Sequence, residues 1–159
     1  MSTLKEAVKD FLSQKRIAVA GVSGTRDIQA NRIYRKFCEA GYQVFAVNPK
    51  AETVEGDPCY PDLISIPGGV DGVVIVTRSD VTEKIARQCV EAQVPRVWMH
   101  RSHRLLGNSV SETAVRFCRE NGITVIPGAC PMMFLKPVDF PHLCLREILR
   151  LIGGLPRQI

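Results

Sequence analysis

Five short apolar runs, spaced by stretches with helical periodicity, predict a Rossmann-like α/β domain: a doubly wound five-stranded parallel sheet with helices on both faces. Three observations carry this. The runs at 16–20, 42–47, 72–77, 96–100 and 123–128 are nearly continuously apolar, as strands buried on both faces are. The segments between them are long enough for the right-handed crossovers that parallel neighbours need. The first run ends in Gly21-Val22-Ser23-Gly24, a glycine turn leading into a helix.

The elements follow in order. Thr3 and Glu6 form a capping box ahead of Leu4, Val8, Phe11 and Leu12 at helical spacing, so an amphipathic helix spans about 3–13. After the first strand a helix runs from about Ile28 to Ala40 and stops at Gly41. The second strand ends at Asn48-Pro49, and an irregular stretch rich in Pro, Gly and Asp leads to the third. Ser79 is placed to cap a helix reaching about Ala92, with Asp80 and Glu83 suited to its dipole. The fourth strand is followed by Ser109-x-x-Glu112, a second capping box, whose helix ends at Gly122. The fifth strand leads through a proline-rich turn to a last amphipathic helix at about 142–152, stopped by Gly153-Gly154 and expected to pack against the sheet.

The 159 residues, 45% hydrophobic and 23% charged, suit one domain over 1–159 with a sizeable core. The net charge of +5 favours an anionic partner, but aromatic residues are only 6%, too few to suggest the stacking platforms of a nucleic-acid binder. No apolar run is long enough to span a bilayer and the N-terminus lacks a signal-peptide core, so a soluble cytoplasmic protein is expected. The six cysteines include no CxxC pair, which agrees with a reducing compartment. Cys38, Cys89, Cys118 and Cys144 fall in helical segments, where a free Cys is usually a small buried hydrophobe.

Ligands of doubly wound sheets bind at the carboxyl ends of the strands. There the glycine turn can offer backbone N–H groups and a helix N-terminus to a phosphate, although it departs from GxGxxG at Ser23 and Arg26. Gly21 and Gly24 are expected to allow close approach of a pyrophosphate, so that a side chain at Gly24 would obstruct binding and spare the fold. Asn48-Pro49-Lys50 stands where an NAD site would carry an acid for the ribose, and Lys50 favours a ligand with an extra ribose phosphate, either NADP or coenzyme A. The other strand ends supply Thr77-Arg78, His100-Arg101 with His103 and Arg104, and Cys130-Pro131. With Arg26 and Lys50 these make at least five basic side chains at one sheet edge, and carboxylates are scarce in the same loops. His100-x-x-His103 has no acidic or Cys neighbour and is not read as a metal site. Trp98 reads as core.

The runs IAVAGVSGTR, GYQVFAVNPK, VEGDPCYPDL, VDGVVIVT, RVWMH and ITVIPGACPMM, over roughly 10–133, together resemble the CoA-binding domain family, whose relatives include the N-terminal domain of the succinyl-CoA synthetase alpha subunit. The resemblance implies that Gly21, Val22, Ser23 and Arg26 hold the CoA phosphates and that Lys50 is the basic residue after strand two. It also implies that Thr77 and Arg78 flank the adenosine or pantetheine path, with His100 at the fourth strand end. Single-domain members commonly show Trp-x-Gln and a glycine after strand four, where this chain has Trp98-Met99-His100-Arg101. The synthetase's phosphorylated histidine lies in a second domain that has no counterpart here, so ligase activity is not implied. The expected function is binding of coenzyme A or an acyl-CoA as a carrier, sensor or regulatory protein, with no catalytic constellation and with homo-oligomerisation open. The alternatives are an NADP-dependent oxidoreductase or the nucleotide-binding subunit of a larger complex. Cys130, just past strand five, could meet the pantetheine sulfur and form a mixed disulfide, although an inert thiol is the commoner state.

Overall fold

The computed structural model describes residues 3–101, 108–156 and 159. Its sheet has the order β3-β4-β2-β1-β5-β6-β7. The strands are β1 (Arg16–Ala20), β2 (Gln43–Val47), β3 (Thr53–Val54), β4 (Asp57–Tyr60), β5 (Gly72–Ile75), β6 (Arg96–Met99) and β7 (Thr124–Pro127). The helices are α1 (Leu4–Leu12), α2 (Gln29–Glu39), α3 (Ser79–Glu91), α4 (Glu112–Glu120) and α5 (Phe140–Leu151), with a 3-10 turn at Pro131–Met133. Among the described residues no helix is long and apolar enough to cross a membrane.

The five predicted strands form the parallel centre. The sheet gains two more strands from the stretch expected to be irregular. There, Glu55 (φ +54°) and Gly56 (φ +86°) turn β3 back onto β4, and β4 joins the edge of β2 in parallel. Two successive positive φ values are the mark of the tight turns that favour hairpins.

Alternation along the strands sends residues to two cores. Ala18, Ala20, Val73, Ile75, Val97 and Met99 pack with the buried side chains of α3 and α4. Ile17, Val19, Val74, Trp98 and Ile126 pack with those of α1 and α2. Trp98 is fully buried, meets the Phe11 ring edge-on at 5.4 Å, and its Nε1 donates to the carbonyls of Gly128 (3.1 Å) and Ala129 (3.2 Å). It is a core residue, as read from the sequence.

Two capping expectations change. Ser79 is the first helical residue of α3, whose N-cap is Arg78, and α4 is capped by Ser111, which accepts from the Ala114 N–H at 3.3 Å. The Ser109 hydroxyl instead accepts from the Thr77 N–H at 3.0 Å, a long-range contact that outweighs the local capping signal. The last helix begins two residues earlier than expected, capped by Asp139, and it does not pack on the sheet: no residue of α5 is buried, and its main neighbour is the 3-10 turn. Of the helical cysteines only Cys89 and Cys118 are buried, while Cys38 is exposed and Cys144 half-buried.

Candidate functional site

β1 lies between β2 and β5, so the chain leaves β1 on one side, returns on the other, and opens a crevice at the carboxyl ends. The Gly21 N–H donates to Val47 O (3.1 Å) and the Val76 N–H to Ala20 O (2.9 Å), which carries the ladder one step past the strands. Gly21 has φ +103°, and a Cβ there would stand 2.1 Å from Val76 O. Only glycine fits. At Gly24 a Cβ would stand 2.9 Å from Thr53 O, so this glycine serves the close approach of the β2–β3 connection. A side chain at Gly24 therefore disturbs the fold locally as well, contrary to the sequence expectation.

The loop is fastened from inside. Asn31 of α2, which is buried, accepts from the Ser23 N–H at 2.9 Å and donates to Ser23 O at 2.8 Å and to Glu55 Oε1 at 3.0 Å. Ser23 Oγ accepts from the N–H groups of Arg26 (3.1 Å) and Thr25 (3.3 Å), and Asn48 Nδ2 donates to the carbonyl of the buried Val22 at 2.6 Å. Much of the polar capacity of Ser23 and Asn48 is thus spent on holding the loop. α2 then begins at Ile28 with no side-chain cap, and α3 begins at Arg78 likewise. Among the described residues the other three α-helices all have one. The two uncapped N-termini are those that leave β1 and β5.

An open concavity of about 540 Å³ lies over the loop, lined by Ser23 to Asp27 with Asn31, Arg35 and Glu55. Carboxylates are less scarce here than expected, because the hairpin brings Glu55 in. Arg35 bridges Asp27 (2.9 Å) and Glu55 (2.8 Å), and its hydrogen bond holds the Asp27 carboxyl below its ordinary range. Arg26 is exposed.

At the second strand end, Pro49 and Lys50 are exposed and the Lys50 N–H donates to Asn48 Oδ1 at 2.8 Å. Lys50 makes no ion pair among the described residues. Thr77 Oγ1 lies 3.0 Å from Thr82 Oγ1, and the exposed Arg78 pairs with Asp80 at 3.1 Å. His100 departs from the expected basic cluster. It is 1% exposed, its Nε2 has no hydrogen-bond partner among the described residues, and burial pushes its pKa down to about 4. It contributes a neutral ring and no charge. His103 and Arg104 lie outside the described residues, and among those described no group of three His, Cys, Asp or Glu is arranged to hold a metal.

Cys130 is buried, and desolvation pushes its thiol up to about 11, so thiolate is scarce and the inert reading is favoured. Its neighbour Ala129 sits at φ +66°, its carbonyl accepting from Trp98 Nε1 and the Arg101 N–H. A larger cavity of about 610 Å³ between α1 and α5 includes none of the predicted site residues in its lining.

Sequence reasoning missed Asn31, Glu55, Thr82 and Ser109. Asn31 did leave a signal: it is a polar residue on the face of α2 that carries Ala30, Ile33, Tyr34 and Phe37 into the core.

Comparison with known proteins agrees with this geometry. The chain is 30% identical over 127 residues to the uncharacterised Bacillus subtilis protein YneT, covering 79% of this chain and 90% of that one. It is 35% identical over 75 residues to an ADP-forming acetate–CoA ligase of Archaeoglobus fulgidus, covering 47% of this chain but 11% of the ligase. A hypothetical protein from Pyrococcus horikoshii superposes with a TM-score of 0.73 at 25% identity, covering 96% and 98% of the two chains. A dinucleotide-forming acetyl-coenzyme A synthetase of Candidatus Korarchaeum cryptofilum does so at 0.61 and 28%, covering 70% of this chain and 25% of the synthetase. Residues 15–136 match the family model described as CoA binding domain, and the chain belongs to that family.

Proposed function

We propose that the chain binds coenzyme A or an acyl-CoA across the carboxyl ends of β2, β1, β5, β6 and β7, as a carrier, sensor or regulatory protein rather than as an enzyme. The observation that carries the reading is the pair of uncapped helix N-termini at the crevice. The first turn of α2, reached through Gly21, Val22, Ser23, Gly24 and Arg26, receives the pyrophosphate. Lys50, exposed beyond Asn48 and Pro49, takes the 3′-phosphate. The pantetheine arm runs past Thr77 and Arg78 at the α3 N-terminus toward His100 and Cys130. His100, buried and neutral, backs that path without adding a charge to it.

The test is calorimetric titration with coenzyme A, dephospho-CoA and NADP. Coenzyme A binds most tightly, and its advantage over dephospho-CoA is about tenfold, the low end for a charge-assisted contact because Lys50 is open to solvent. Lys50→Ala loses that advantage while its affinity for dephospho-CoA is unchanged, since the mutation and the missing phosphate remove one interaction. Equal affinity of the parent for the two ligands removes Lys50 from the site. Tighter binding of NADP overturns the reading as a whole.

A further inference from the structure

The groove of about 610 Å³ between α1 and α5 has the volume of a small-molecule site, and its walls are of two kinds. Leu4 and Val8 of α1 meet Phe134 and Leu155 over an apolar floor that belongs to the core beneath α1. Three cations, Lys5, Arg146 and Arg150, line the same groove with one carboxylate, Glu147. Glu147 is shared between two guanidiniums, Arg146 Nε at 3.0 Å and Arg150 Nη1 at 3.8 Å, so positive charge is in excess. Arg146 is fixed in place: its Nη1 donates to Met133 O at 3.1 Å and its guanidinium lies 6.0 Å from the Phe134 ring centroid. Side chains that could recognise a sugar or a base are missing from the described lining. Besides the charged residues only Thr3 carries a polar side chain, and its hydroxyl is engaged with Glu6 at 2.9 Å in the capping box of α1.

We propose that this groove binds a medium-chain carboxylate, its alkyl chain on the floor between α1 and α5 and its carboxylate on Arg146 and Arg150, with Lys5 adding to the attraction. The body of the ligand must be plain hydrocarbon, because hydrogen-bonding groups would be desolvated there without partners. The excess of cations calls for an anionic end, and the planar guanidinium matches a carboxylate. The groove contains none of the residues given to coenzyme A, so the two ligands bind independently.

Calorimetric titration of the full chain with octanoate, up to about 10 mM, tests this. Octanoate binds with a Kd below about 1 mM, and each methylene removed from the chain weakens binding about fourfold. Octan-1-ol, which keeps the chain and lacks the charge, binds at least about tenfold more weakly. Lys5→Glu and Arg150→Glu, both at exposed positions, keep the circular dichroism and melting of the parent, weaken octanoate about tenfold and leave octan-1-ol unchanged. Lys50→Ala leaves octanoate binding as it is, which separates this site from the coenzyme A crevice. Absence of saturable octanoate binding overturns the proposal, as does an alcohol that binds as tightly as the acid or an affinity that neither charge reversal lowers. Displacement of octanoate by saturating coenzyme A would place it in the crevice instead and equally overturn the proposal. Octanoyl-CoA that displaces octanoate where coenzyme A does not would make the occupant a thioester's acyl chain, against the free acid proposed.

Discussion

His100 makes stability depend on pH in a direction and size that follow from its burial. Its ordinary pKa of 6.5 applies to the unfolded chain, and the folded value is about 4. Between these values the unfolded chain holds one proton more than the folded one, so stability is fully present above pH 6.5 and falls as the pH drops toward 4. A separation of this size corresponds to about 3 kcal/mol, lost at about 1.4 kcal/mol per pH unit in the steep part. Urea denaturation of the wild type and His100→Phe between pH 4 and 7 isolates the effect, because the lowered carboxylates Glu6, Asp27, Asp62 and Asp139 titrate identically in both proteins. Phenylalanine also removes an Nε2 that has no partner among the described residues, so at pH 7 the variant is about as stable as the parent or slightly more so. Its advantage then grows by about 3 kcal/mol as the pH falls to 4. Parallel pH profiles for the two proteins would refute the argument and show that the imidazole titrates freely in the folded state.

The remaining predictions address the loop and the thiols. Gly21→Ala drives a methyl into Val76 O and destabilises by about 3 kcal/mol or more, whereas Gly41→Ala, at φ +85° with open space around it, costs about 1 kcal/mol; similar denaturation midpoints would contradict the close approach. Asn31→Ala releases Ser23 and costs about 1 to 3 kcal/mol, with weaker coenzyme A binding by calorimetry; unchanged stability and affinity would mean that the loop is held by other contacts. Alkylation of the native protein at neutral pH, mapped by peptide mass, modifies the exposed Cys38 before the buried Cys89, Cys118 and Cys130. Burial raises all of these thiols, and faster labelling at Cys130 would revive the mixed-disulfide route.

The five central strands and the sites of the first four helices were legible because a strand buried on both faces leaves an unbroken apolar run and an amphipathic helix leaves a 3.6-residue period. The hairpin was not legible. Its strands are two and four residues long, one contains Pro58, and its turn is Glu55-Gly56 rather than the Asn-Gly or Asp-Gly that announces such turns. Ser109 satisfied the local capping pattern, but the Thr77 N–H claimed its hydroxyl across 32 residues of sequence. Helix α5 has an amphipathic period, and periodicity says nothing about how deeply a helix packs: none of its residues is buried. At the strand ends, the types of Lys50, Arg26 and Arg78 could be read from the sequence, while the neutrality of His100 depends on a burial that only the assembled sheet creates.

The two rims of the sheet bear on how molecules of this chain can meet. Strands lengthen into fibres when an edge offers a run of unpaired amides long enough to template a neighbour. Here one rim is β3, only two residues long, bent back by Glu55 and Gly56. The other is β7, four residues ending at Pro127, which brings no N–H of its own. Both borders are too short to recruit a foreign strand, so the fold can tolerate high concentration without growing by sheet extension.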